Sequence, residues 1–424
     1  MLKVFQKRLW NKELIPWYLY DFANSFISIN MIVYFSQWVV VDHNVSDFWF
    51  ALPAILATLV LVFLSTHVGR KGDIHESHYP IFRNTTLLVF IVVLGLILAG
   101  RTLSYGAVVV PLILFGCYQF FFQLALVPYN AFIKHISSKE DYGKISGLGF
   151  AFGNAGMILG LLITLPVING SVTFFGNDRL APLIPGLIVF SLFSLPSLIV
   201  FSRKRFLKKP VKEEPAHFFK SFWNNLKKSK EHPGVFPLLL SFYLFSDAIT
   251  TISLYSAIYL QRVFLLPDSF KVQIFIIVFA GVLIGAFFGG MLSDRYSHKK
   301  ILIISLFLNA LAIFIIAFNT QVNLLSFIFL LFGLTMGVVY ASSRSYLASL
   351  IPVGESGTFF GLYTFAERFA SVIGPAIWGI IIFGFSTLAP ANYRIAAFVM
   401  GILVLAAVIP LLKIKKLPQE SKSF

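Results

Sequence analysis

Long apolar runs separated by polar connectors recur from one end of the chain to the other. An α-helix needs ~20 predominantly apolar residues to cross a bilayer, and the runs reach that length again and again. Twelve spans are expected, near 16–41, 48–68, 80–100, 106–132, 144–166, 181–202, 236–261, 271–292, 300–319, 324–350, 358–383 and 392–412. The connectors are short except 203–235, which is long, polar and basic. The pattern predicts an all-α membrane protein in which two six-helix bundles, 1–202 and 236–424, flank that linker.

Within the linker, "HFFKSFWNNLKK" at 217–228 sets Phe218, Phe219, Phe222, Trp223 and Leu226 on one helical face and Lys220, Asn224, Lys227 and Lys228 on the other. A short helix lying on the membrane surface is expected there. A partner-binding helix is the alternative.

Composition agrees with the pattern. Of 424 residues, 58% are hydrophobic and only 12% charged, against about 25% charged in soluble domains. The net charge of +16 lies between apolar runs and builds no basic face, so nucleic acid is not an expected partner. The one cysteine, Cys117, falls inside a span and has no intramolecular disulfide partner. The first apolar run is too long for a signal peptide and lacks a small-residue cleavage site, so it is expected to stay as the first helix.

Charge also orients the chain. Lys3, Lys7, Arg8 and Lys12, then the lysines and arginines of the linker, then Lys413, Lys415, Lys416 and Lys422 all fall on one side. Only scattered cations such as Arg101, Arg179, Arg262, Lys271 and Arg394 fall on the other. By the positive-inside rule both termini and the linker are expected to be cytoplasmic.

The two halves repeat. "DFANSF" (21–26) matches "DAITTI" (247–252), and "STHVGRK" (65–71) matches "SDRYSHK" (293–299). Gly143 and Gly147 fall on Gly357 and Gly361, and Gly160 falls on Gly374. Four matches in one order imply a duplicated six-helix unit, which is a transporter architecture.

Polar groups inside the spans are the candidate chemistry. A charge at the bilayer centre costs at least ~2.5–3.5 kcal/mol on insertion scales. Asp21, Asn24, Ser25 and Ser28 form one polar stripe on helix 1, with Asp21 roughly 7 Å in. Asp247, with Thr250 and Thr251, lies ~16 Å into span 7, so residues that the repeat makes equivalent are predicted at different depths. Glu367 and Arg368 lie in span 11 and Arg344 in span 10. A pair between Arg344 and Glu367 and a protonatable Glu367 are both open readings. A structural role, capping a broken helix or joining two helices, stays open for each carboxylate. Gln119, Gln123 and Asn154 are candidate solute-binding residues, or interhelical hydrogen bonders. The glycines 147, 149, 153, 156 and 160 have the spacing of close helix packing. His67, His75, His78 and His298 lie in loops without metal-ligand spacing, and no nucleotide-binding loop or nucleophile motif is present. No cofactor and no enzymatic activity are expected.

The loop "GGMLSDRYSHKK" (289–300), with twelve spans and a central linker, resembles the major facilitator superfamily. "WYLYDFANSF" (17–26), "VPYNAFIKHISSKEDYGKISGLGFAFG" (127–153) and "GLYTFAERFASVIGP" (361–375) resemble one branch of it. That branch holds the fungal autophagy-related vacuolar amino-acid effluxers and their bacterial relatives. The resemblance implies the major facilitator fold, with Asp294 and Arg295 as gate residues. It also implies a secondary active transporter of an amino acid or similar small polar solute, with proton coupling through Asp21, Asp247 and Glu367. Thr66 stands where the first half of that superfamily carries the equivalent of Asp294, which puts the N-terminal latch in question. Alternatives are an uncoupled facilitator, an exporter of a larger metabolite, or a receptor-like membrane protein on the same fold. The remaining expectations are a monomer in the bacterial inner membrane, or a vacuolar membrane if the source is eukaryotic.

Overall fold

The computed structural model describes residues 10–75, 78–102, 108–136, 142–202, 218–351 and 356–414. Part of the basic linker, 203–217, and most of the terminal lysines lie outside these residues. Among the described residues the regular elements are all helical. The first half contains α1 (Leu14–Asn30), α2 (Asp47–His75), α3 (His78–Thr102), α4 (Val109–Ile136), α5 (Tyr142–Ile168) and α6 (Leu183–Ser202). Helix α1 runs on through two π-helical segments, Met31–Phe35 and Trp38–Asp42. The linker contributes α7 (Phe218–Glu231), and the second half begins with α8 (Val235–Phe264), α9 (Asp268–Arg295), α10 (His298–Phe318) and α11 (Leu325–Leu350). The chain then forms α12 (Ser356–Phe369), α13 (Ile373–Gly384), α14 (Ala391–Ala406) and α15 (Val408–Leu412).

Eleven helices are long and apolar enough to cross a membrane within the described residues. The expected second span is helical as α2, but its qualifying apolar stretch is the shorter Asp47–Leu61. The expected eleventh span, 358–383, is not one continuous helix. It breaks between Phe369 and Ile373, and α12 and α13 are its two pieces. Pro375 sits in the first turn of α13, where its missing N–H leaves no helical hydrogen bond unmade.

The chain divides into two compact units: Met1–Glu214 with Ala257–Gln273, and Pro215–Ser256 with Ile274–Phe424. The hairpin between α8 and α9 therefore packs with the first unit. In that unit α1 packs on α5 and α6, and α4 packs on α2 and α3. In the second unit α10 packs on α11 and α14.

Close backbone approach at glycine recurs in both units. In lipid there is no hydrophobic drive between helices, so association relies on van der Waals contact and small residues at the interface. A Cβ on Gly156 of α5 would sit 2.3 Å from the Phe22 carbonyl oxygen of α1, and one on Gly160 would sit 3.1 Å from that of Phe26. Between α9 and α11 the fit is as tight: a Cβ on Gly285 would meet the Leu334 oxygen at 2.0 Å, and one on Gly337 the Val282 oxygen at 2.2 Å. Each obstacle is backbone, so it cannot be relieved by turning a side chain. Gly285→Ala is expected to destabilise the protein by about 1–3 kcal/mol, while Gly290→Ala, which would meet nothing within 4 Å, is the matched control. Thermal unfolding of the purified variants in detergent measures both.

Candidate functional site

The motif at the start of helix 1 resolves into residues with different tasks. Trp17 Nε1 donates to the Tyr129 carbonyl at 3.0 Å, and the Tyr129 hydroxyl donates back to the Trp17 carbonyl at 3.0 Å. Their rings stack with centroids 4.7 Å apart. Tyr20 shares a 3.0 Å hydrogen bond with Thr86 of α3, and Tyr18 stacks on Phe152 of α5. These aromatic residues fasten α1 to three neighbours. Two members of the polar stripe between them face α5: Asp21 Oδ2 and Ser25 Oγ would lie 3.3 and 3.1 Å from a Cβ on Gly153. Asn24 is 3% exposed, with its Nδ2 buried and unpartnered.

Asp247 has a different setting. It is 3% exposed in the middle of α8, and its carboxylate meets the N-terminal end of α13, where the Gly374 N–H donates to it. A helix N-terminus concentrates unpaired N–H groups and positive potential, which suits a carboxylate. The break in the eleventh span and the buried Asp247 thus form one feature. A Cβ on Gly374 would lie 2.2 Å from Thr251 Oγ1 and 2.9 Å from the Asp247 carbonyl oxygen, so only glycine fits. Asp247 Oδ1 and, one turn earlier, the Tyr243 hydroxyl are buried without hydrogen-bond partners.

Helix 1 meets α5 as α8 meets α13, through glycine: Gly156 faces Phe22 and Gly160 faces Phe26, while Gly374 faces Asp247. Asp21 lies about 10 Å along α1 from Leu14, and Asp247 about 18 Å along α8 from Val235, at 1.5 Å per residue.

Other groups gather near Asp247 in the second unit. The Tyr340 hydroxyl of α11 lies 3.3 Å from Ser246 Oγ and also engages Thr250. Glu367 of α12 has Arg344 and Arg368 as charged neighbours. Glu367 and Arg344 are both exposed, while Arg368 is half-buried, and no ion pair within 4 Å joins them among the described residues. The Tyr363 hydroxyl meets Ser343 Oγ at 3.0 Å. In the first unit Gln123 donates to Thr58 at 3.2 Å, bridging α4 and α2. Gln119 is half-buried on α4 and Asn154 is buried on α5. Arg295 stands over the Tyr296 ring, while the side chains of Asp294 and Thr66 lie outside the described residues.

One cluster escaped the sequence. In the first unit Arg179, in the connector between α5 and α6, bonds Asp268 at 3.0 Å through Nε, and also Asp42 at the end of helix 1. Lys271 is fully buried and binds Asp268 at 2.5 Å, the Gln261 side chain at 2.6 Å, and Gln37. Arg262 donates to the Val40 carbonyl at 2.5 Å. Gln37 and Asp42 belong to the π-helical end of helix 1, a form often found at functional sites. Together these residues clamp the α8–α9 hairpin to helix 1 and to the α5–α6 connector. Arg179, Arg262 and Lys271 stood out in the sequence only as cations on the side poor in them. Their partners Asp42 and Asp268, at span ends, were the signal available.

Residues 44–417 match the family model described as "Vacuole effluxer Atg22 like". An MFS-type transporter of Bacillus subtilis, YxiO, is 24% identical, with 94% of this chain and 95% of that protein covered. Autophagy-related protein 22 of Yarrowia lipolytica is 27% identical over 56% of this chain and 45% of its own length. Among solved structures, a mutant of the nucleoside transporter NupG superposes with TM-score 0.76 at 11% identity, covering 96% of this chain and all of that one. A bacterial homolog of the human lysosomal transporter Spinster, inward-facing and unoccupied, gives TM-score 0.71 at 14% identity over 96% and 98%.

The clamp makes a direct energetic prediction. In a double-mutant cycle of Arg179→Met and Asp268→Leu, unfolding in detergent should show a coupling of at least about 0.5 kcal/mol, as expected for residues sharing one ion network. Strictly additive effects would mean that the two do not interact.

Proposed function

Since the chain belongs to the Atg22-like effluxer family of major facilitator transporters, we propose that it is a secondary active transporter of a small polar organic solute, an amino acid or similar metabolite, driven by protons through alternating access. The observation that carries this reading is Asp247, a carboxylate buried mid-helix against the N-terminus of a broken helix, with one oxygen free of protein partners. Discontinuous helices with half-helix ends turned toward the substrate or ion are the usual construction of transporter sites. A proton gained or lost at Asp247 changes the charge facing the α13 terminus, and so changes which packing of α8, α12 and α13 is favoured. Thr250 and Tyr340 supply hydrogen-bonding groups for a solute nearby. Glu367, Arg344 and Arg368 supply fixed charges of both signs, as a zwitterion requires. Asp21, held against Gly153, serves the packing of α1 on α5.

The clamp of Asp42, Arg179, Asp268, Lys271 and Gln37 is the gate in this reading. Helices α8 and α9 run from the second unit into the first at this hairpin, and breaking the clamp would free the hairpin from helix 1 and from the α5–α6 connector. With both termini and the linker cytoplasmic, as the lysine distribution supports, the clamp lies toward the opposite face of the membrane.

Uptake of a solute found by a thermal-shift screen of amino acids, peptides, sugars and siderophores tests the proposal in proteoliposomes. An imposed pH gradient should raise uptake by the wild-type chain, and Asp247→Asn should abolish that stimulation while leaving solute exchange in place. Equal rates with and without the gradient would remove the proton.

A further inference from the structure

The structure contains an apolar cavity that the transport reading leaves unused. It measures about 250 Å³ and lies in the second unit between the linker helix α7, the start of α8, and α12 with the first residue of α13. Phe222 and Leu226 form its wall on the α7 side, Phe236 and Leu240 on α8, and Phe365 and Ala366 on α12. The Phe222 ring packs on Phe365 with centroids 4.4 Å apart, so α7 is fastened to α12 beside the cavity. Leu240 is 41% exposed, so the cavity is not sealed by protein.

We propose that this cavity holds part of an acyl chain of an anionic phospholipid whose headgroup lies on the basic face of α7. Two features choose this occupant. The walls are apolar and long enough for a chain segment, and the surrounding solvent of these helices is itself hydrocarbon. Lys230 is exposed, and its ammonium stands 5.1 Å from the centre of the Phe236 ring, a cavity wall; Lys227 is a second exposed cation on the same helix. A cation beside an apolar slot matches a phosphate joined to an acyl chain. Lysines beside a membrane surface attract anionic lipid by ~1 kcal/mol each, and an amphipathic helix in this position sits at the headgroup boundary. Bound there, the lipid would tie α7 to α8 and α12, the helices that carry Asp247 and Glu367, so lipid composition would bear on the transport cycle.

The test is lipid binding by the full-length, delipidated chain in detergent, followed by native mass spectrometry with three probes: phosphatidylglycerol, phosphatidylcholine and diacylglycerol of the same acyl composition. Phosphatidylglycerol is expected to bind as a discrete adduct, at least tenfold more tightly than either other probe. Lys227→Gln with Lys230→Gln, both at exposed positions, should weaken it tenfold or more. Ala366→Leu, which fills the slot, should do the same with the lysines intact. Equal binding of phosphatidylcholine would overturn the headgroup assignment, and equal binding of diacylglycerol would overturn it as well. Undiminished binding by a folded Ala366→Leu variant would overturn the cavity as the chain's seat. All three readouts are independent of whether any solute is transported.

Discussion

Everything in this protein depends on how closely two helices can approach without water to drive them together. Where lipid tails are the solvent, apolar side chains gain little by leaving them for one another. Contact must come from shape, and here it comes from glycines that let backbone touch backbone. Gly156 admits the Phe22 carbonyl of helix 1, and Gly285 admits the Leu334 carbonyl of α11. Such contacts draw the helices close enough for the few polar side chains to find partners on their neighbours. The Gly374 N–H reaches the Asp247 carboxylate across an interface so close that a Cβ on Gly374 would lie 2.9 Å from the Asp247 carbonyl oxygen. Glycine faces and interhelical hydrogen bonds are therefore one device.

The same device separates the two carboxylates that the sequence placed side by side. Asp21 lies against Gly153 among the aromatic residues that fasten helix 1. Asp247 lies deeper, against the end of a helix that breaks to receive it. Helix α5 in the first half is continuous from Tyr142 to Ile168, while the eleventh span breaks and sets the end of α13 against Asp247.

The helical order was legible because bilayer thickness sets a length that an apolar run must meet. The run 181–202 became Leu183–Ser202, and 324–350 became Leu325–Leu350. The linker helix was legible too, since its apolar positions recur at helical spacing. The break in the eleventh span was not, because a turn of three residues hardly alters an apolar run; Pro375 was its one local mark. The ion clamp was hidden for a different reason. Asp42, Arg179 and Asp268 are far apart in the sequence, and nothing in a single segment shows which acid a cation will meet.

In the proposed transport cycle the clamp serves as the lock and Asp247 as the titratable group. The lock is the more exposed to direct measurement. Spin labels replacing the exposed residues Phe174 and Leu265, in a Cys117→Ser background, report the distance between the α5–α6 connector and the α8–α9 hairpin by pulsed electron resonance. The account predicts two distance populations in proteoliposomes, with Arg179→Met shifting the balance toward the longer one. A single distance, unchanged by Arg179→Met, would contradict it.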